Sequence, residues 1–169
     1  NLNADLDYAS TSALALNSGA IRDAASNNAT LTLPTPGASG SLAANKALVA
    51  DGVLPVISSV SLAANNSSIA VTMSEAVYNT NSGSGALEAS DFFVVIGGGI
   101  ATLSSGTPTS ISVSGNVYTL GLGLSGTPNG SEVVTVAPIG NAIYDVAGNV
   151  ASTSQSNNTA TMTDGFPPT

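Results

Sequence analysis

Apolar and polar residues alternate with a period of two in several stretches of the chain. In SSIAVTMSE (67–75), Ile69, Val71 and Met73 share one face, with Ala70 and Thr72 on the other. In NVYTLGLGLS (116–125), Tyr118, Leu120, Leu122 and Leu124 lie opposite Thr119, Gly121 and Gly123. SEVVTVAP (131–138), TATMTD (159–164) and NATLTLP (28–34) continue the pattern. This period predicts half-buried β-strands. Interior glycines such as Gly121 and Gly123 weaken a strand unless something packs close to their face. Turn chemistry (AANNSS, NTNSGSG, IGGG, SSGTP, VSGN, SGTPNGS) separates the runs. Many short strands at roughly 8–12-residue spacing predict an all-β, antiparallel sandwich. Helix formers are scarce; ALEASDF (86–92) predicts one helical turn before a strand.

A phrase occurs twice: GAIRDAASNN (19–28) and NAIYDVAGNV (141–150) share Ala-Ile-x-Asp-x-Ala-x-Asn. Two Asp-Gly stretches, DGVLPVISSV from Asp51 and DGFPPT from Asp164, stand 113 residues apart, about one sandwich domain. Proline there stiffens a junction and resists edge pairing. Asp145 lies 19 residues before its Asp-Gly stretch and Asp23 lies 28 before its own; the loop PTPGASGSLAANK (34–46) takes up the difference. The expected organisation is therefore the C-terminal part of one repeat over 1–50, a complete repeat over 51–163, and a linker over 164–169. In the first copy Ser26 stands where the second has Gly148, so a left-handed turn at that position would cost the first copy more.

Composition narrows the function classes. Charged residues make up 7% of the chain, so the polar surface must be Ser, Thr and Asn, which points outside the cell. Arg22 and Lys46 are the only cations against 10 carboxylates, a net charge of −8. Nucleic-acid binding and attraction to an anionic membrane are excluded on that balance. Ca²⁺ is the partner such a chain can attract. Cys is absent, removing disulfides and thiolate chemistry. FFVVIGGGIATL (92–103) is too short and too glycine-rich for a membrane helix. NLNADLDYAS carries no signal-peptide pattern, as expected of a mature or excised segment.

With that frame in place, the chain resembles the tandem immunoglobulin-like repeats of large bacterial cell-surface proteins and adhesins. The resemblance is carried by 51–78, ALEASDF, YTLGLGLSGTPNGSEVVTVAP (118–138) and NAIYDVAGN (141–149), with 4–34 similar to the closing strands of a sister repeat. It implies an immunoglobulin-like fold and an extracellular, non-catalytic unit that extends a surface protein outward. It also implies Ca²⁺ at repeat junctions.

Two readings of the acidic residues stay open. Asp145 can cap its own turn, with Asn149 accepting left-handed geometry. Alternatively Asp51, Glu75, Asp145 and Asn149 together supply oxygens to Ca²⁺, which needs six to eight. Catalysis is not expected: there is no His, no Cys and no Gly-x-Ser-x-Gly elbow, and Glu75, Glu88, Asp91 and Glu132 sit among strand and turn signals. IGGGIATL reads as a hairpin turn rather than a phosphate loop, because no Lys or helix follows. Sequons at Asn28, Asn65, Asn66, Asn129 and Asn157 fit an extracellular surface without demonstrating a glycan.

The expected function is a structural repeat of an adhesin, stalk or surface filament. Its expected partners are neighbouring repeats or identical subunits assembled head to tail. The missing strands of the first repeat would come from a neighbouring subunit if Asn1 is a mature N-terminus, and from the same polypeptide if it is not. The alternative is a module binding a carbohydrate, another cell or ice through a Thr/Ser/Asn-rich face.

Overall fold

The computed structural model describes residues 2–3, 6–46 and 50–167. The chain forms two compact units, Asn1–Gly52 and Val53–Thr169. The last two residues of the expected 164–169 linker lie outside the described residues.

The first unit has little regular structure. Strands β1 (Leu2–Asn3) and β2 (Ala50–Asp51) pair antiparallel, Leu2 opposite Asp51. One short helix, α1 (Leu42–Asn45), is capped by the Ser41 hydroxyl, which accepts the Ala44 N–H at 3.2 Å. The strand expected over 28–34 does not form. Its alternation persists as half-buried Leu31 and Leu33 around exposed Thr32, and Leu33 N–H reaches the Thr11 carbonyl at 2.8 Å. A strand is defined by its partners, and in this unit residues 28–34 have no ladder to join.

The second unit is an antiparallel β-sandwich with almost no helix. Its strands are β3 (Ile57–Leu62), β4 (Ser68–Met73), β5 (Phe92–Gly97), β6 (Thr102–Leu103), β7 (Ile111–Ser114), β8 (Val117–Gly121), β9 (Leu124–Ser125), β10 (Val133–Pro138) and β11 (Thr159–Thr161). One sheet runs β3-β4-β8-β7, a second β11-β10-β5, and β6 pairs with β9. Period-two alternation fixes the faces: Ile69, Val71 and Met73 of β4 and Tyr118 and Leu120 of β8 point inward. Phe92, Val94, Val134 and Val136 meet them from the other sheet in one core. The Phe92 and Tyr118 rings are 6.0 Å apart across it. Ala89–Asp91 forms the helical turn expected before β5, as a single 3-10 turn.

The glycines of β8 have a neighbour, as strand geometry requires. A side chain at Gly121 would meet the hydroxyls of Ser110 and Thr109, and one at Gly123 would meet Ser104. The 104–110 segment lies against that face, and Thr109 N–H bonds the Gly121 carbonyl at 2.9 Å.

Candidate functional site

Two buried carboxylates stand out in a unit whose residues 53–169 include no Lys or Arg. Asp145 and Glu132 are both fully buried. A charge in that position must be met by hydrogen-bond donors, and main-chain N–H groups supply them.

Asp145 sits in the corner that follows the core residue Ile143. Its Oδ1 accepts N–H groups from Ala147 and Asn149, each at 2.8 Å, and its Oδ2 accepts the Asn149 side-chain amide at 2.7 Å. Asp145 N–H bonds the Asn149 carbonyl at 3.0 Å, closing the loop, and Gly148 takes φ +88° within it. The turn-capping role expected of Asp145 is therefore present. Asn149 also directs its amide toward the Val53 carbonyl at 3.4 Å, tying the corner to the start of the unit.

The first copy of the corner is built from the same bonds, each residue 122 positions earlier. Asp23 Oδ1 accepts from Ala25 and Asn27 N–H at 2.9 Å, and Oδ2 accepts the Asn27 amide at 2.9 Å. These bonds, the Asn27 side-chain amide foremost, lower the Asp23 pKa. Ala29 N–H bonds Ile21 carbonyl as Ala151 bonds Ile143, all at 2.8 Å. Ser26 adopts φ +67°, so the first copy keeps the left-handed turn without glycine.

The four residues considered as Ca²⁺ ligands are placed as follows. Glu75 is half-buried beyond β4, and one of its carboxylate oxygens lies within 4.8 Å of one from Asp145. Asp145 has four lone-pair positions, three of which take N–H donors. Asn149 serves Asp145 as a donor. Asp51 belongs to β2 of the first unit, joined to Val53 through Gly52 alone. The hard oxygen donors of Glu75 and Asp145 suit a Ca²⁺ ion.

Glu132 is the buried group that strand and turn signals did not single out. Its Oε1 accepts Ile100 and Ala101 N–H at 2.8 and 3.0 Å, and its Oε2 accepts Asn129 N–H at 2.9 Å. The Ala101 bond, with those from Ile100 and Asn129, outweighs desolvation and brings its pKa to about 2. The glycine run of 97–99 makes room for this carboxylate: Gly98 and Gly99 take φ +75° and +58°, and a side chain at Gly99 would overlap Glu132. IGGG is thus the hairpin turn its composition suggests, wrapped around an acid. The signal was parity, since Glu132 lies in step with inward-facing Val134 and Val136.

Among the sequons, Asn66 is buried at φ +57° with its amide clamped to the Thr163 main chain, Nδ2 to carbonyl at 2.7 Å and N–H to Oδ1 at 3.0 Å. No glycan can be attached there without breaking that clamp.

The fold is that of a mainly antiparallel β protein of two units that bear the same acidic corner. No protein-family model and no curated protein matches the chain. Among solved structures it is similar to the N-terminal part of the bacterial S-layer protein SbsC. That match has 25% identity and a TM-score of 0.45, and covers 65% of this chain and 24% of that one. The chain thus spans about a quarter of the length of that structure. No helix among the described residues is long and apolar enough to cross a membrane.

Proposed function

We propose that the chain is a non-catalytic structural repeat of an extracellular bacterial adhesin, stalk or surface filament, whose work is mechanical. The observation that carries this reading is the duplicated corner, in which Asp23 and Asp145, 122 residues apart, organise the same bonds. Evolution by duplication of a unit that only has to fold and hold its neighbours leaves such a trace. The chain's chemistry agrees: it has neither His nor Cys, and the fully buried acids among the described residues, Glu132 and Asp145, are engaged by main-chain donors. A glycan array and a hydrolase substrate screen with the purified chain test it. Inert behaviour in both is expected, and saturable binding or turnover would overturn the structural reading.

A second reading has one observation in its favour. The outward face of β3, β4, β8 and β7 presents Ser59, Ser61, Thr72, Thr119, Ser112 and Ser114, with no charge among them. Such a face suits a carbohydrate, cell-surface or ice ligand, and the same array distinguishes it.

A Ca²⁺ ion held by Glu75 and Asp145, with Asp51 and Asn149 as further candidate ligands, is part of the proposal. It would stiffen the corner around Asp145. Calorimetric titration with Ca²⁺, and melting with and without chelator, test this part. Heat of binding and a raised melting temperature are expected; neither appearing would remove the metal.

A further inference from the structure

Among the described residues, the first and last strands of the second unit, β3 and β11, belong to different sheets, so no main-chain ladder joins them. Two side-chain carboxamides join them instead. Where the chain enters β3, Ile57 N–H donates to Gln155 Oε1 at 2.8 Å, and the Gln155 amide is anchored on the Ser152 carbonyl at 2.7 Å. Where the chain leaves β11, Asn66 of the β3–β4 turn takes both main-chain groups of Thr163. Its Nδ2 donates to the Thr163 carbonyl at 2.7 Å, and its Oδ1 accepts the Thr163 N–H at 3.0 Å. Gln155 precedes β11 and Asn66 follows β3, so the two strands run in the same direction between these ties. The chain therefore enters the sandwich at one end and leaves it at the other.

The residue type at position 66 meets two demands at once. Its backbone is left-handed, φ +57°, a conformation that glycine adopts freely and asparagine tolerates. A carboxamide also offers a donor and an acceptor side by side, as a peptide group does. Asn66 therefore supplies one rung of a ladder that the two sheets cannot build from main chain. Glycine would satisfy the turn and leave the rung out. The rung is sheltered from water, since Asn66 is 4% exposed.

We propose that Asn66 and Gln155 form a clamp that carries the tension when the second unit is pulled through its two ends. This rests on the structural-repeat reading and adds where the strength of the repeat lies. Tension entering through β3 and leaving through β11 draws the two sheets in opposite directions along their strands. The core between them is apolar. Apolar contact is non-directional, so it opposes separation of the sheets more than sliding. Hydrogen bonds are directional and oppose sliding. Other bonds to the same segments stay within one sheet: Val56 with Ser74 beside β4, and Met162 N–H with Glu132 beside β10. The carboxamide ties cross from sheet to sheet, at the points where the loaded strands begin and end.

The test is the lifetime of the second unit under constant force, measured on the full chain along two pulling axes. The chain has no Cys, so introduced cysteines define each axis: one at either end of the chain, or Ser82→Cys with Ser114→Cys. Ser82 and Ser114 are exposed and lie outside β3 and β11. Asn66→Gly keeps the left-handed turn and removes the rung. Pulled through the ends, it should shorten the lifetime by at least about tenfold, because two hydrogen bonds leave the loaded path. Pulled through residues 82 and 114, the same substitution should change the lifetime far less. Gln155→Ala should show the same pattern, and it serves as the test if Asn66→Gly does not fold. An unchanged lifetime under end loading, or equal shortening along both axes, overturns the proposal. If the unsubstituted unit still ruptures in one cooperative event, the structural-repeat reading stands in either case.

Discussion

Asn149 donates both its main-chain N–H and its side-chain amide to the carboxylate of Asp145, at 2.8 and 2.7 Å. Asn27 does the same to Asp23, 122 residues earlier. One acid thus holds a five-residue corner in each unit, buried in the second and exposed in the first. The contrast in burial makes the two copies an internal control for what the rest of a sandwich contributes.

Asp145→Ala removes the acceptor of three N–H donors inside the protein. The orphaned donors should cost about 2–3 kcal/mol, read as a shift in the urea midpoint of the second unit. Asp23→Ala leaves its donors to water, so its effect on the chain's unfolding should be far smaller. Equal effects would mean that burial is not what gives the corner its weight.

The same logic applies to the isoleucines. Ile143→Ala opens a cavity in the core and should destabilise by about 2–5 kcal/mol, whereas Ile21→Ala should stay within roughly 0.5 kcal/mol. Thermal melts of the two variants check this.

Gly148→Ala combines two penalties. Its φ of +88° disfavours any side chain, and an added Cβ would stand 2.7 Å from the Asn81 carbonyl oxygen. A loss of more than about 1–2 kcal/mol is expected in denaturant unfolding, because the contact adds to the backbone cost.

Glu132 sets an acid limit on stability. Its pKa falls from 4.5 to about 2 on folding, so the folded state favours the ionised form. That contribution is complete above the unfolded pKa and is lost as pH falls from about 4.5 toward 2. Melting temperature should decline through this window. Glu132→Gln should flatten the decline while lowering stability at neutral pH, since an amide cannot accept the same three N–H donors with equal strength. An unchanged acid profile in the variant would show that other carboxylates govern it.

Much of the second unit was legible in the sequence because each signal was local. Alternation located β4, β8, β10 and β11, and the repeated phrase located the corner. What escaped depended on partners far along the chain. Residues 28–34 carry strand chemistry without a ladder, so the pattern alone misplaced a strand. Glu132 stood only among strand and turn signals, although its donors come from 100, 101 and 129. Ser26 warned of strain in the first corner, yet the Asp23 bonds hold it left-handed all the same.

A mechanical repeat must resist force as one body. Single-molecule pulling on the full chain, flanked by marker domains, measures this directly. The second unit should rupture in one cooperative event that releases a contour length on the order of 380–415 Å less the folded end-to-end distance, as expected for residues 53–167 at roughly 3.3–3.6 Å each. Featureless extension at the force of an unstructured chain would contradict a structural role for this protein.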